Sequence, residues 1–190
     1  MISAMNATPT SPPGSRVLVT GLPGSGKTTV AMALAGAHGL AHIEVDRLYY
    51  GPGYATRPTF VPELEVAIAE DRWCLDDFGA PESRDLVWNR ADTLVWLDLP
   101  WGVAFLRAVR RTWRRLRTGT ELLPGCRESW LGWLRPYHPV RLSLTGHGRH
   151  RRTLVRRLAD PRFQHLTVIR LRSTREVEEF LGGVPYKLAA

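Results

Sequence analysis

Gly21-Leu-Pro-Gly-Ser-Gly-Lys27-Thr28 satisfies the pattern Gly-x4-Gly-Lys-Ser/Thr in full, between an apolar run, Val17 to Thr20, and an Ala-rich stretch with helical periodicity. That sequence of strand, glycine-rich turn and helix leaves few architectures open, because the turn must lie at a strand end and open directly into the helix. A loop with little side-chain bulk can turn successive backbone N–H groups inward on a triphosphate, while Lys27 reaches the β and γ phosphates and the Thr28 hydroxyl reaches Mg²⁺. The helix dipole adds its positive end to the same anion. Gly21, Pro23, Gly24, Ser25, Gly26, Lys27, Thr28 and Thr29 are therefore the candidate nucleotide-binding residues. The bland alternative, a Gly-rich turn with a lone Lys, requires neither the strand before it nor the helix after it.

The chain has 190 residues, which suits one α/β domain and leaves little room for a second. Residues 1 to 14 are rich in Pro, Ser and Thr and lack both a basic start and an apolar core, so a mobile tail is expected there and a single domain over 15 to 190. No apolar run approaches membrane-spanning length. Cys74 and Cys126 make neither a disulfide framework nor a zinc spacing, which points to a reducing cytoplasm.

Short apolar strands alternate with helical patterns: strands at 16–20, 41–45, 72–76, 93–97 and 165–170, and helices at 26–38, 62–71, 82–90, 100–117, 127–135, 139–159 and 174–181, the last capped by Thr174. Strands of this kind form a parallel sheet covered on both faces, with the ligand site at their carboxyl ends. Asp46, Asp76 and Asp98 fall at such ends. Mg²⁺ keeps much of its water and needs a carboxylate near the loop, a role given first to Asp76. Asp98, followed by Leu-Pro, reads best as a turn starter. Asp46 is placed on the acceptor side, holding an acceptor hydroxyl or a water.

Several of these segments together resemble the adenylate-kinase-related P-loop proteins known as DNA topology modulation (FlaR-type) proteins. The likeness runs through Gly21 to Thr29, Ile43-Glu-Val-Asp46, Gly51-Pro-Gly-Tyr54, Trp73-Cys-Leu-Asp76, Ala91-Asp-Thr-Leu-Val-Trp-Leu-Asp-Leu-Pro100 and Gly125-Cys-Arg-Glu128, covering most of residues 16 to 181. The resemblance implies a nucleoside monophosphate kinase-like P-loop fold, binding of ATP and Mg²⁺, and phosphotransfer to an undefined acceptor. The chain departs from the group at Asp76-Asp77-Phe78-Gly79, where the group reads Asp-Gly-Asn-Tyr. The first Asp, and with it the Mg²⁺ role, carries over; acceptor contacts at the next positions do not.

Charge is the second constraint. The net charge is +8, 24 of the 26 basic residues are Arg, and 14 of those lie in residues 101 to 157 against only Glu121 and Glu128. Arg107, Arg110, Arg111, Arg114 and Arg115 recur at spacings of three and four, forming a basic face beside Trp101, Phe105 and Trp113. In a kinase of the implied fold this region, about 107–157, is a lid whose arginines meet the transferring phosphoryl group, and Arg110 and Arg114 are the candidates for that work. A solvated Arg-rich helix is the alternative. A pI near 10.3 with Trp113, Trp130, Trp133 and Tyr137 nearby also fits nucleic acid, yet the ring spacing is helical and core packing is favoured. His138, His147 and His150 lack the partners of a metal site and receive no role. The sequence thus leads to an expected cytoplasmic ATP phosphotransferase with Lys27, Asp46, Arg110 and Arg114 in catalysis and Thr28 and Asp76 on Mg²⁺. Its partners are ATP and a small acceptor, a nucleotide among the candidates, with no membrane. An ATP-dependent DNA-associated regulator, or a nucleotide binder without transfer, is the alternative.

Overall fold

The computed structural model describes residues 13–77, 79–121, 138–182 and 184. Five strands, β1 (Arg16–Gly21), β2 (Ala41–Glu44), β3 (Trp73–Asp76), β4 (Thr93–Leu97) and β5 (Thr167–Leu171), pair in parallel in the order β2-β3-β1-β4-β5. The helices are α1 (Lys27–His38), α2 (Val45–Tyr49), α3 (Phe60–Ala67), α4 (Pro81–Arg90), α5 (Trp101–Thr118), α6 (Pro139–Thr145), α7 (His147–Leu158) and α8 (Thr174–Phe180). Register aligns the carboxyl ends: Val19 lies opposite Asp76, Gly21 opposite Leu97, and Leu97 opposite Leu171. Among the described residues, no helix is long and apolar enough to cross a membrane.

Side chains alternate across the strands and make two cores. Val17, Val19, Cys74, Val95 and Ile169 pack with Val30 and Leu34 of α1 and Val177 of α8. Leu18, Leu75, Leu94, Trp96 and Val168 pack on the other face with Phe60 and Leu64 of α3, Val87 and Trp88 of α4 and Leu154 of α7. The start of β1 is tied down where the Ser15 and Arg16 amides donate to the Asp92 carboxylate at 3.1 and 2.9 Å. With the phosphate loop joining the central strand to α1, this is the P-loop, nucleoside-kinase-like α/β architecture expected from the sequence.

Several boundaries differ. The helical pattern over 139–159 divides at Gly146, where the backbone closes so tightly that an added Cβ would lie 2.5 Å from the Leu142 carbonyl oxygen. Ser173, not Thr174, caps α8: its hydroxyl accepts from the Glu176 amide at 3.1 Å, and the Glu176 carboxylate accepts from the Arg172 amide at 2.8 Å. Ser three residues before Glu is the capping-box spacing, with Glu176 here reaching the amide one residue ahead of the cap. Asp46 does not end β2; the strand stops at Glu44, and Asp46 lies in the first turn of α2, where Arg47 pairs back to Glu44. Residues 1–12, Phe78, the Gly125 to Glu128 segment, Trp130, Trp133, Tyr137 and the helical pattern at 127–135 lie outside the described residues.

Candidate functional site

The phosphate loop leaves β1 at Gly21 and turns through a bond from the Ser25 amide to the Leu22 carbonyl at 3.0 Å. Gly24 adopts φ +83°, and an added Cβ there would meet the Ala104 carbonyl oxygen at 2.1 Å and the Ala108 nitrogen at 3.0 Å. Glycine is required at this position on both counts: L side chains avoid that dihedral, and the backbone of α5 rests directly on the loop. The small Ala104 and Ala108 permit the approach. At the start of α1 the cap residue is Gly26, no side chain caps the first turn, and that turn holds no acid. The amides of the first turn are therefore free of competition from an acid in that turn, the arrangement that favours an anion at a helix start.

Lys27 is half-buried and curls back over the loop, its Nζ donating to the Leu22 carbonyl at 3.2 Å. Burial holds its pKa below the ordinary lysine value, opposed by the charges of Asp46 and Asp76. Asp76 is buried at the end of β3, and its Oδ1 has no hydrogen-bond partner. Burial pushes its pKa up to about 7, against a hydrogen bond from the Thr28 side chain and the Lys27 charge, while Asp46 and Glu44 push it further up. The structure thus brings Lys27, Thr28 and Asp76 together. Asp46 faces the same group from α2; burial raises its pKa, and Lys27 is the largest charge opposing that rise. Asp77 is also buried and raised by burial, with its carboxylate accepting from the Gly79 amide at 2.7 Å and the Arg84 charge close by.

Asp98, also at a strand end, behaves differently. Its Oδ2 takes two bonds from Arg170, the one from Nε at 2.9 Å, and lies 3.7 Å from Nε of Arg151 on α7. The Arg170 guanidinium in turn sits 4.2 Å over the Trp96 ring.

The arginines of α5 divide by helical phase. Ala104, Ala108 and Thr112 are its buried stripe, and Arg107, Arg111 and Arg115 flank that stripe, half-buried. Arg111 acts on both Lys27 and Asp46, and Arg115 on Asp46. Arg110 and Arg114, singled out from the sequence, stand on the exposed side, about 80 to 120° around the helix from Ala104 at 3.6 residues per turn. The spacing alone did not say which arc faces inward. The stripe of small residues at 104, 108 and 112 was the available signal.

A magnesium nucleotide fits this constellation. The first turn of α1 has no side-chain cap and no acid, the Asp76 Oδ1 is a buried acceptor with no partner, and the Thr28 hydroxyl shares the same carboxylate. Among the described residues no three His, Cys, Asp or Glu side chains gather to hold a metal. No protein-family model and no curated protein matches the chain. Among solved structures it is similar to one titled a gluconokinase from Sinorhizobium meliloti 1021, at TM-score 0.44 and 20% identity, covering 90% of this chain and 93% of that one. A likeness at that distance carries no argument about chemistry, and the class of the protein rests on its own sheet order and loop.

Proposed function

We propose that this protein transfers the γ-phosphoryl group of ATP to a small acceptor, in a cytoplasm that supplies Mg-ATP and keeps the buried Cys74 reduced. The observation that carries the reading is the convergence of Lys27, Thr28 and Asp76 at the end of the central strands, with Asp76 buried and one of its oxygens unpartnered. The amides of Gly24 to Thr29 and the Lys27 ammonium bind the phosphates. Thr28 and Asp76 hold Mg²⁺, which when bound neutralises phosphate charge and aligns the terminal group. In the transfer, the bond from the γ phosphorus to the bridging oxygen breaks and one to the acceptor oxygen forms, and the hydroxyl proton leaves toward solvent or a carboxylate. Asp46 orients that hydroxyl directly or through a water. Arg111 and Arg115 supply positive charge from α5, taking the part first given to Arg110 and Arg114. Asp77, tied to Gly79 and near Arg84, replaces the Gly of the resembling group and gives this chain its own acceptor contacts.

Replacing Lys27 with Ala should lower Mg-ATP affinity or turnover by about two or more orders of magnitude with the fold intact. Calorimetric titration, together with a transfer screen over mononucleotides, sugars and hydroxy acids, tests it; unchanged binding in the variant would refute a triphosphate site. A second reading is favoured by the exposure of Arg110, Arg114, Arg149, Arg152 and Arg156, and agrees with the topology modulation resemblance. There, nucleotide binding presents the outer faces of α5 and α7 to nucleic acid. Duplex binding at physiological salt that an Arg110→Ala/Arg114→Ala variant loses, while ATP turnover persists, would select it.

A further inference from the structure

Helix α7 enters the site with a residue to which the sequence assigns no part. The Gly146 corner turns the chain from α6 into α7, and the His150 amide closes the first turn onto the Gly146 carbonyl at 2.8 Å. This places the His150 side chain half-buried, with its Nε2 fully buried and without a hydrogen-bond partner. The next residue, Arg151, pairs with Asp98, which is locked to Arg170 of β5, so the orientation of this part of α7 is tied to the sheet. The charged groups around His150 come from three other segments and from its own helix: Lys27 of α1, Asp98 after β4, Arg84 of α4 and His147 of α7. Three of the four are basic groups, and Lys27 has the strongest influence.

A buried nitrogen with no partner, within electrostatic reach of the phosphate-loop lysine, costs free energy. An anion shared with Lys27 would remove that cost, since a neutral imidazole carries one N–H donor and an anionic oxygen accepts it. Resting on the reading of the loop as a triphosphate site, we propose that His150 donates from Nε2 to an oxygen of the terminal phosphate held by Lys27. It thereby makes α7 the element that distinguishes a nucleoside triphosphate from a diphosphate. His150 is then a substrate-contacting residue delivered by the return helix.

The protonation of the ring supports the same arrangement. Burial, with Lys27 the largest charge adding to it, lowers the His150 pKa to about 4 in the ligand-free protein, and Asp98 alone opposes the fall. A phosphate arriving at Nε2 reverses the sign of the local field and draws a proton onto the ring at mildly acidic pH.

The test is calorimetric titration of the full chain with a non-hydrolysable ATP analogue and, separately, with ADP, for wild type, His150→Ala, His150→Gln and His150→Asn. Loss of a hydrogen bond to a charged oxygen predicts about 10- to 100-fold weaker analogue binding for His150→Ala, with ADP binding within about twofold of wild type. Gln, whose amide nitrogen lies near the position of Nε2, should recover most of the affinity, and Asn should not. At pH 5 to 6, titrations in buffers of different ionisation enthalpy should show wild type taking up protons with the analogue, and His150→Gln not. Should His150→Ala fold poorly, the Gln variant's affinity and proton uptake decide. Equal losses for the analogue and ADP, or no loss with unchanged proton uptake, would overturn the assignment of His150 while leaving the loop's function intact. Failure of wild type to bind the analogue at all would overturn the triphosphate reading itself, and this proposal with it.

Discussion

Asp76 and Asp98 stand at the carboxyl ends of the strands that flank β1 on either side, and both side chains are largely withdrawn from solvent. Asp98 is saturated at Oδ2 by Arg170 and Arg151, and Trp96 lies beneath the Arg170 guanidinium. Asp76 has an orphaned oxygen, two more carboxylates within electrostatic reach and one incompletely compensating lysine. One carboxylate belongs to the architecture; the other is kept under tension that a cation would relieve. The contrast shows that two acids at strand ends can differ in how fully their buried charge is satisfied, and that an unsatisfied one is the better candidate for binding.

The largest expected effect falls on the saturated side. Asp98→Ala leaves the Arg170 guanidinium buried without its carboxylate and should cost about 3 to 5 kcal/mol, read from urea unfolding. A loss under about 1 kcal/mol would erase the distinction between the two aspartates. Asp76→Asn should do the opposite to the ligand-free protein. Because burial raises the folded-state pKa of Asp76 to about 7, its favourable share of stability is complete below the ordinary carboxylate range and is lost as pH rises through 7. The variant removes that loss, so it should match wild type near pH 4 and exceed it by about 1 to 3 kcal/mol at pH 8. The same variant should lose the Mg²⁺ dependence of turnover, which Mg²⁺ titration would show. The smallest effect is expected at Arg151, the outer partner of Asp98. At 52% side-chain exposure it should contribute at most about 1 kcal/mol, so Arg151→Ala in the same urea assay should barely move the midpoint.

Much of this contrast could be read in advance at the level of the chain's own segments. The phosphate loop and the five strands follow from local pattern, because a strand end and a glycine-rich turn are encoded by adjacent residues. What Asp98 does was not legible: its partner Arg170 lies 72 positions along the chain, and a turn-starting Asp looks the same in sequence as an ion-paired one. The inward arc of α5 was obscured because five arginines at spacings of three and four cover more than one side of a helix. His150 was passed over for a similar reason. Its significance arises from the fold bringing α7 within electrostatic reach of Lys27, and nothing near position 150 in the sequence mentions that lysine. The division at Gly146 that allows this return was itself hidden inside a continuous helical pattern.

The rest of α5 beyond its contact with Gly24 has a mechanical meaning. The helix is clamped at Ala104 and Ala108, near its beginning, and runs on to Thr118 as an unbroken rod. At 1.5 Å per residue, the portion past that contact is about 15 Å long, seated through the buried Thr112 and carrying Arg111 and Arg115 along its length. The close contact at Gly24 thus makes the shape of the phosphate loop and the placing of Arg111 and Arg115 parts of one rigid arrangement.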